Sequence, residues 1–150
     1  MARFVFKLQG VLRHRAAIEQ ERLRDFALAQ AKLKGLEDQL KMLNQSMQET
    51  NDDARRNRLT GRLDIGFVTA HRRFLMGMQR KAVELVAAVA GVQKELEAAR
   101  LALAEAAKQR KVLEKLRERQ EQRWREELSR KELIAADEVA TQLSYGQGRT

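Results

Sequence analysis

Cysteine and proline are both absent from this 150-residue sequence, glycine occurs only eight times, and aromatic residues make up 5% of it. Each shortage removes a class of protein. Without cysteine there is no disulfide framework, no thiolate nucleophile and no zinc site built on sulfur, which agrees with a reducing cytoplasm. So few aromatics, and no proline to punctuate turns, do not suit a compact globule of this length. Long apolar runs are missing too. The most apolar stretch, residues 82–92, is interrupted by Glu84 and falls well short of the roughly 20 residues a membrane span needs. The opening MARFVFKLQGVLRHR has neither a continuous apolar region nor a small-residue cleavage site, so it is not expected to act as a secretory signal, and the protein is expected to stay inside the cell.

What the sequence does have is charge, 34% of its residues, and a heptad-like order among its apolar ones. Phe26, Ala29, Leu33, Leu36, Leu40, Leu43 and Met47 follow one another at alternating steps of three and four, with no polar exception. A second run reads Leu75, Met78, Ala82, Leu85, Val89, Val92, Leu96, Ala99, Leu103, Ala106, Arg110 and Leu113, where Arg110 is the one polar intruder. Both are coiled-coil seams. Between them, Asn51, Asp52, Asp53, Asn57, Thr60, Gly61, Asp64 and Gly66 form a dense cluster of turn formers. The chain is expected to reverse there, with Gly61 ending the first helix in a left-handed cap and Asp64 capping the second.

These features predict an all-α protein: two long helices forming an antiparallel coiled-coil hairpin over residues 1–143, with helix 1 at about 8–50, a turn at about 51–66, helix 2 at about 67–143 and a disordered tail at 144–150. A reversal near residue 60 aligns positions whose numbers add to about 120, setting Leu43 near Met78, Leu36 near Leu85 and Leu8 near Leu113. At ~1.5 Å rise per residue the helices span ~65 Å and ~115 Å, so helix 2 overhangs at the terminal end. In that overhang the register continues through Arg117, Gln120, Trp124, Glu127 and Lys131, which is no hydrophobic stripe. One seam buries little per residue, and a monomeric hairpin of this kind is open to reinforcement by a partner.

Catalysis needs groups converging in a concave site, and two helices side by side offer none, so no enzyme, cofactor or metal is expected. His14 and His71 fall near opposite ends of the hairpin and read as solvated surface residues. Ser129 and Thr60 have charged neighbours but no placed histidine base. No GxxxxGK phosphate cradle occurs. The net charge of +9 is instead distributed in blocks: +5 over residues 1–34, −4 over 35–53, +7 over 54–81, −2 over 82–107, +5 over 108–131 and −2 over 132–150. The first and fifth blocks converge at the terminal end, while Arg55, Arg56, Arg58, Arg62, Arg72, Arg73, Arg80 and Lys81 gather near the turn. Two basic poles suggest two acidic partners. For Glu114, Arg117, Glu118, Arg119, Glu121 and Arg125, a solvated face laced with ion pairs four apart is an equal reading.

Phe67 and Phe74 stand one step off the seam, with Met78 four residues beyond Phe74 and Met42 beside Leu43. They describe either a widened core or an exposed apolar patch for a partner. Phe4 and Phe6 pose the same choice at the other end.

The opening Phe4-x-Phe6-x-Leu8-Gln9-x-Val11-Leu12-x-x-Arg15, the later Leu113-Glu114-Lys115-Leu116-Arg117-Glu118-Arg119 and Asp137-Glu138-x-Ala140 resemble the FliJ proteins of bacterial flagellar export, related to the YscO-like proteins of injectisomes. The similarity runs over nearly the whole chain. It implies a non-enzymatic cytoplasmic stalk, peripheral to the inner membrane at the flagellar basal body. One end of that stalk enters the hexameric ring of the export ATPase FliI, the turn region contacts the export gate protein FlhA, and export chaperones are further partners. Carried onto this sequence, the gate contact looks like Gln39, Leu43, Phe74 and Met78, while aromatic positions of helix 1 in some members are Ser46 and Thr50 here. The ATPase contact would lie in Phe4, Phe6, Leu8, Gln9 and Arg15 and in Arg117, Arg119, Arg123, Trp124 and Arg125.

From a different class, the arginine poles suit a basic coiled coil binding nucleic acid or an anionic membrane surface. Interleaved acids, a lone Trp124 and Tyr145, and the lack of a base-reading module weigh against it, so no nucleic-acid partner and no membrane insertion are expected. A purely structural scaffold would leave Phe67 and Phe74 unexplained.

Overall fold

The computed structural model describes residues 3–58 and 64–148, and within them the chain is two helices, α1 at Gln9–Arg58 and α2 at Ile65–Gln147, packed against each other as an all-α hairpin with no strand among the described residues. Two compact units divide it, a terminal unit of Met1–Gln20 with Glu105–Thr150 and a second unit of Glu21–Ala104.

Helix starts are set locally. Residues 3–8 are not helical, and the Phe6 carbonyl accepts the Gln9 N–H at 3.1 Å before the first α-helical bond, from the Leu12 N–H to the Leu8 carbonyl at 2.9 Å. Asp64 caps α2 as its residue type predicts. Its carbonyl accepts the Val68 N–H at 3.1 Å, and its side chain accepts the Gly66 N–H at 2.9 Å, satisfying one of the orphan donors of the first turn.

Each unit is held by the seam the sequence describes. In the second unit Phe26, Leu33, Leu36, Leu40, Leu43 and Met47 are half-buried and Ala29 is buried; across from them Leu75, Met78, Ala82, Val89, Val92, Leu96, Ala99 and Leu103 are half-buried and Leu85 is buried. In the terminal unit Phe6, Leu12 and Ala106 are buried, while Arg110 and Leu113 are half-buried. No described side chain is fully enclosed. A two-helix contact hides one strip of each helix and leaves the other faces to water, so stability here is spread thinly over many partial contacts.

The reversal comes later than the sequence suggests. α1 continues through residues 51–58, extending its seam by Thr50, half-buried, and Ala54, buried. Asn and Asp are weak helix formers but not breakers, and no proline or glycine interrupts this stretch. Thr60 and Gly61 lie outside the described residues. The later turn shifts the pairing. Arg15 with Gln109, Glu19 with Arg110 and Phe4 with Trp124 in the terminal unit, and Lys32 with Glu95 in the second, run antiparallel with numbers adding to between 124 and 129 rather than 120. Leu43 therefore shares a cleft with Ala82, four residues beyond the expected Met78.

At the far end of α2, helix persists to Gln147, through four of the seven residues read as a disordered tail. Nor does the seam stop at Leu113. Glu121, Trp124 and Leu128 are half-buried, because the non-helical N-terminal segment reaches alongside; from 129 to 148 every residue is exposed.

Candidate docking surfaces

In the terminal unit the aromatic residues of the N-terminal segment are structural. Phe6 is buried, and Phe4 tilts against Trp124 with ring centroids 6.0 Å apart and planes at 49°. Such an off-parallel pair is the geometry aromatic quadrupoles favour. Of the choice posed for Phe4 and Phe6, the widened core is the one realised.

Polar pairs are set into the same unit. Arg110 donates from Nε to Glu19 across the hairpin and from Nη1 to Glu114 one turn along α2 at 2.6 Å. Arg15 donates to Gln109 Oε1 at 2.5 Å, and Gln109 donates to Glu105 Oε1 at 3.1 Å. The bond to Glu19, then that to Glu114, holds Arg110 more firmly protonated than a free guanidinium. Arg110 is thus the satisfied centre of a network, which is why a seam position tolerates it.

What this unit offers to a partner is basic and exposed: Arg117, Arg119 and Arg123 stand in solvent, while Arg125 is exposed but bonds Glu121 one turn back at 2.6 Å. The ion-pair reading of this stretch holds for Arg125 with Glu121; Arg117 and Arg119 make no ion pair among the described residues. Leu8 is exposed, Gln9 and Arg15 half-buried.

In the second unit a cleft near the turn is lined by Thr50, Asp53 and Arg56 of α1 and by Phe67, Ala70, His71 and Phe74 of α2. Phe67 and Phe74 are 41% and 48% exposed, which settles their choice in favour of an accessible patch. His71 is not the solvated residue expected. It is half-buried and stacks on Phe67 at 6.1 Å with planes 12° apart. His14, in the other unit, is exposed. Residues four apart on one helix face meet, and this spacing signal was available in the sequence for Phe67 and His71.

The four residues carried over as a gate contact do not line a common cleft. Phe74 belongs to the cleft near the turn; Leu43 lines another with Leu40, Lys41, Asn44, Met47 and Ala82; Met78 is half-buried on the seam, and Gln39 is exposed in neither cleft. Elsewhere in this unit Arg100 grips Glu97 at 2.7 Å, and that hydrogen bond holds the Glu97 carboxyl below its ordinary range.

Among the described residues no cluster of His, Asp or Glu is arranged to hold a metal, and no helix is long and apolar enough to cross a membrane. The molecule is of the coiled-coil hairpin class, presenting charged and apolar surface. The family model for the flagellar FliJ protein matches residues 4–149, and the chain belongs to the FliJ family. That makes it a flagellar export-associated protein of a non-catalytic family. No curated protein and no solved structure matches it.

Proposed function

We propose that this protein is the stalk-like coupling component of a flagellar type III export apparatus. Its terminal unit binds the FliI ATPase ring, promoting ring assembly and hydrolysis, and the turn-proximal face of its second unit engages the export gate protein FlhA. Escort of export chaperones is a further role the family resemblance implies. The observation that carries the reading is that each unit presents its own accessible binding surface. Exposed arginines 117, 119 and 123 lie on one, and the half-exposed Phe67 and Phe74 lie on the other. An exposed stretch of net positive charge steers association with an acidic surface, while an accessible aromatic pair supplies the kind of anchor that dominates protein interfaces.

The test is the hydrolysis rate and oligomeric state of the cognate export ATPase with and without the protein. Faster turnover and more ring in its presence supports the reading; no change in either sinks it.

A further inference from the structure

Within residues 65–83 of α2, Arg72, Arg73, Arg80 and Lys81 are interspersed with exposed apolar side chains, and there is no acid at all. None of these four cations makes an ion pair among the described residues, although Lys32, Arg56, Arg100, Arg110 and Arg125 all do. An ordinary solvated helix face places carboxylates three or four residues from its cations. Around Arg72 and Arg73 this stretch does not, since Glu84 lies within that reach only of Arg80 and Lys81, and it flanks the Phe67, His71 and Phe74 ledge.

We propose that the ledge takes a segment of a protein partner in which an apolar side chain is flanked by carboxylates. The apolar group seats against Phe67 and Phe74, with His71 held flat behind Phe67, and the carboxylates reach Arg72, Arg73 and Lys81. Lys81 follows Phe74 by seven residues, two turns along the same helix face. Charge complementarity fixes the sign of the partner, and the half-exposed rings require an apolar anchor that a phosphate backbone lacks. On the opposite wall of the cleft Asp53 is paired with Arg56 at 4.0 Å, so the α1 cation lining it is partnered, while Arg72 and Arg73 on the α2 side, unpaired among the described residues, are free for discrete carboxylates. The inference rests on the reading of this face as the gate contact, and it makes the gate protein's cytoplasmic domain the occupant.

Binding of that domain, from the cognate export gate, is measured by isothermal titration at low and at high salt. The proteins compared are the wild type, Phe74→Ala, Phe67→Ala and the double variant Arg72→Glu, Arg73→Glu. All changed positions are exposed, and far-UV circular dichroism checks that each variant keeps its helix. The expected result is a loss of about tenfold or more for Phe67→Ala and for the double variant, with salt weakening the wild type far more than the double variant. A duplex oligonucleotide should not displace the domain. If the wild type binds and Phe74→Ala weakens it, but charge reversal and salt do nothing, the acidic-partner proposal falls and the gate contact stands. If the wild type does not bind the domain, both fall. Displacement by the oligonucleotide through the same arginines overturns the proposal in favour of nucleic acid.

Discussion

The guanidinium of Arg110 on α2 meets the carboxylate of Glu19 on α1 at a position where every neighbour along the seam is apolar. A polar pair set into an apolar seam penalises every other alignment of the two helices, since sliding either helix leaves one charge facing hydrocarbon. Removing one partner is expected to lower the melting temperature, as in Glu19→Ala. Replacing both with leucine is expected to match or exceed the wild type, because the desolvation cost disappears with the pair. Circular dichroism melts of the two variants check this; a Glu19→Ala protein that melts with the wild type would show that the pair adds nothing net.

Trp124 is the single tryptophan, so its contact with Phe4 can be read directly. Phe4→Ala is expected to shift its emission to the red, to open it to acrylamide quenching, and to cost about 1 kcal/mol. Unchanged fluorescence would mean that the N-terminal segment does not lie against α2 in solution.

Leu85 is the large side chain most enclosed in the second unit, and Leu101 on the same helix is 57% exposed. Leu85→Ala is expected to cost about 2–3 kcal/mol, the low end for a core leucine because a strip one residue deep collapses readily around a gap. Leu101→Ala should fall within about 0.5 kcal/mol of wild type. Chemical denaturation of the pair measures the contrast.

For Glu97, the hydrogen bond from Arg100 depresses the folded-state pKa. A depressed carboxyl contributes stability that is fully present above its unfolded value of about 4.3 and is lost as pH falls through the folded value. Glu97→Gln should therefore lower the neutral plateau slightly while leaving the acid end of a melting-temperature profile unchanged, so that the acid limb flattens. An acid limb as steep as the wild type's would show that the exposed pair is screened away.

The division of roles between the units predicts opposite phenotypes. Arg117→Glu, Arg119→Glu, Arg123→Glu should abolish stimulation of the export ATPase while leaving gate binding intact, and Phe74→Ala should do the reverse. Exposed positions are preferable here to deletion of residues 1–15, which would also remove the buried Phe6 and Leu12. Loss of both activities in either variant would argue that the two surfaces are not independent.

The hairpin was legible because its seams are long. Every seam position from Phe26 to Met47 and from Leu75 to Leu113 is buried or half-buried. The turn was less so, since Asn51, Asp52 and Asp53 favour turns only where nothing better competes, and Ala54 offered the helix another buried rung. With α1 running to Arg58 rather than about 50, the pairing shifts along α2, and Leu43 shares a cleft with Ala82 rather than meeting Met78. Across the hairpin, Phe4 with Trp124 and Glu19 with Arg110 are separated by most of the chain, so no local pattern announces them. His71 on Phe67, by contrast, lay in plain view at a spacing of four.

From 129 to 148 every residue is exposed and the chain is helix to Gln147, with Leu133, Ile134, Val139 and Leu143 more than half exposed along it. Amide hydrogens along this exposed run should exchange with deuterium orders of magnitude faster than those of the seam. Any molecule that grips this stretch would slow exchange over the whole run at once, so the segment reports its own engagement without a label.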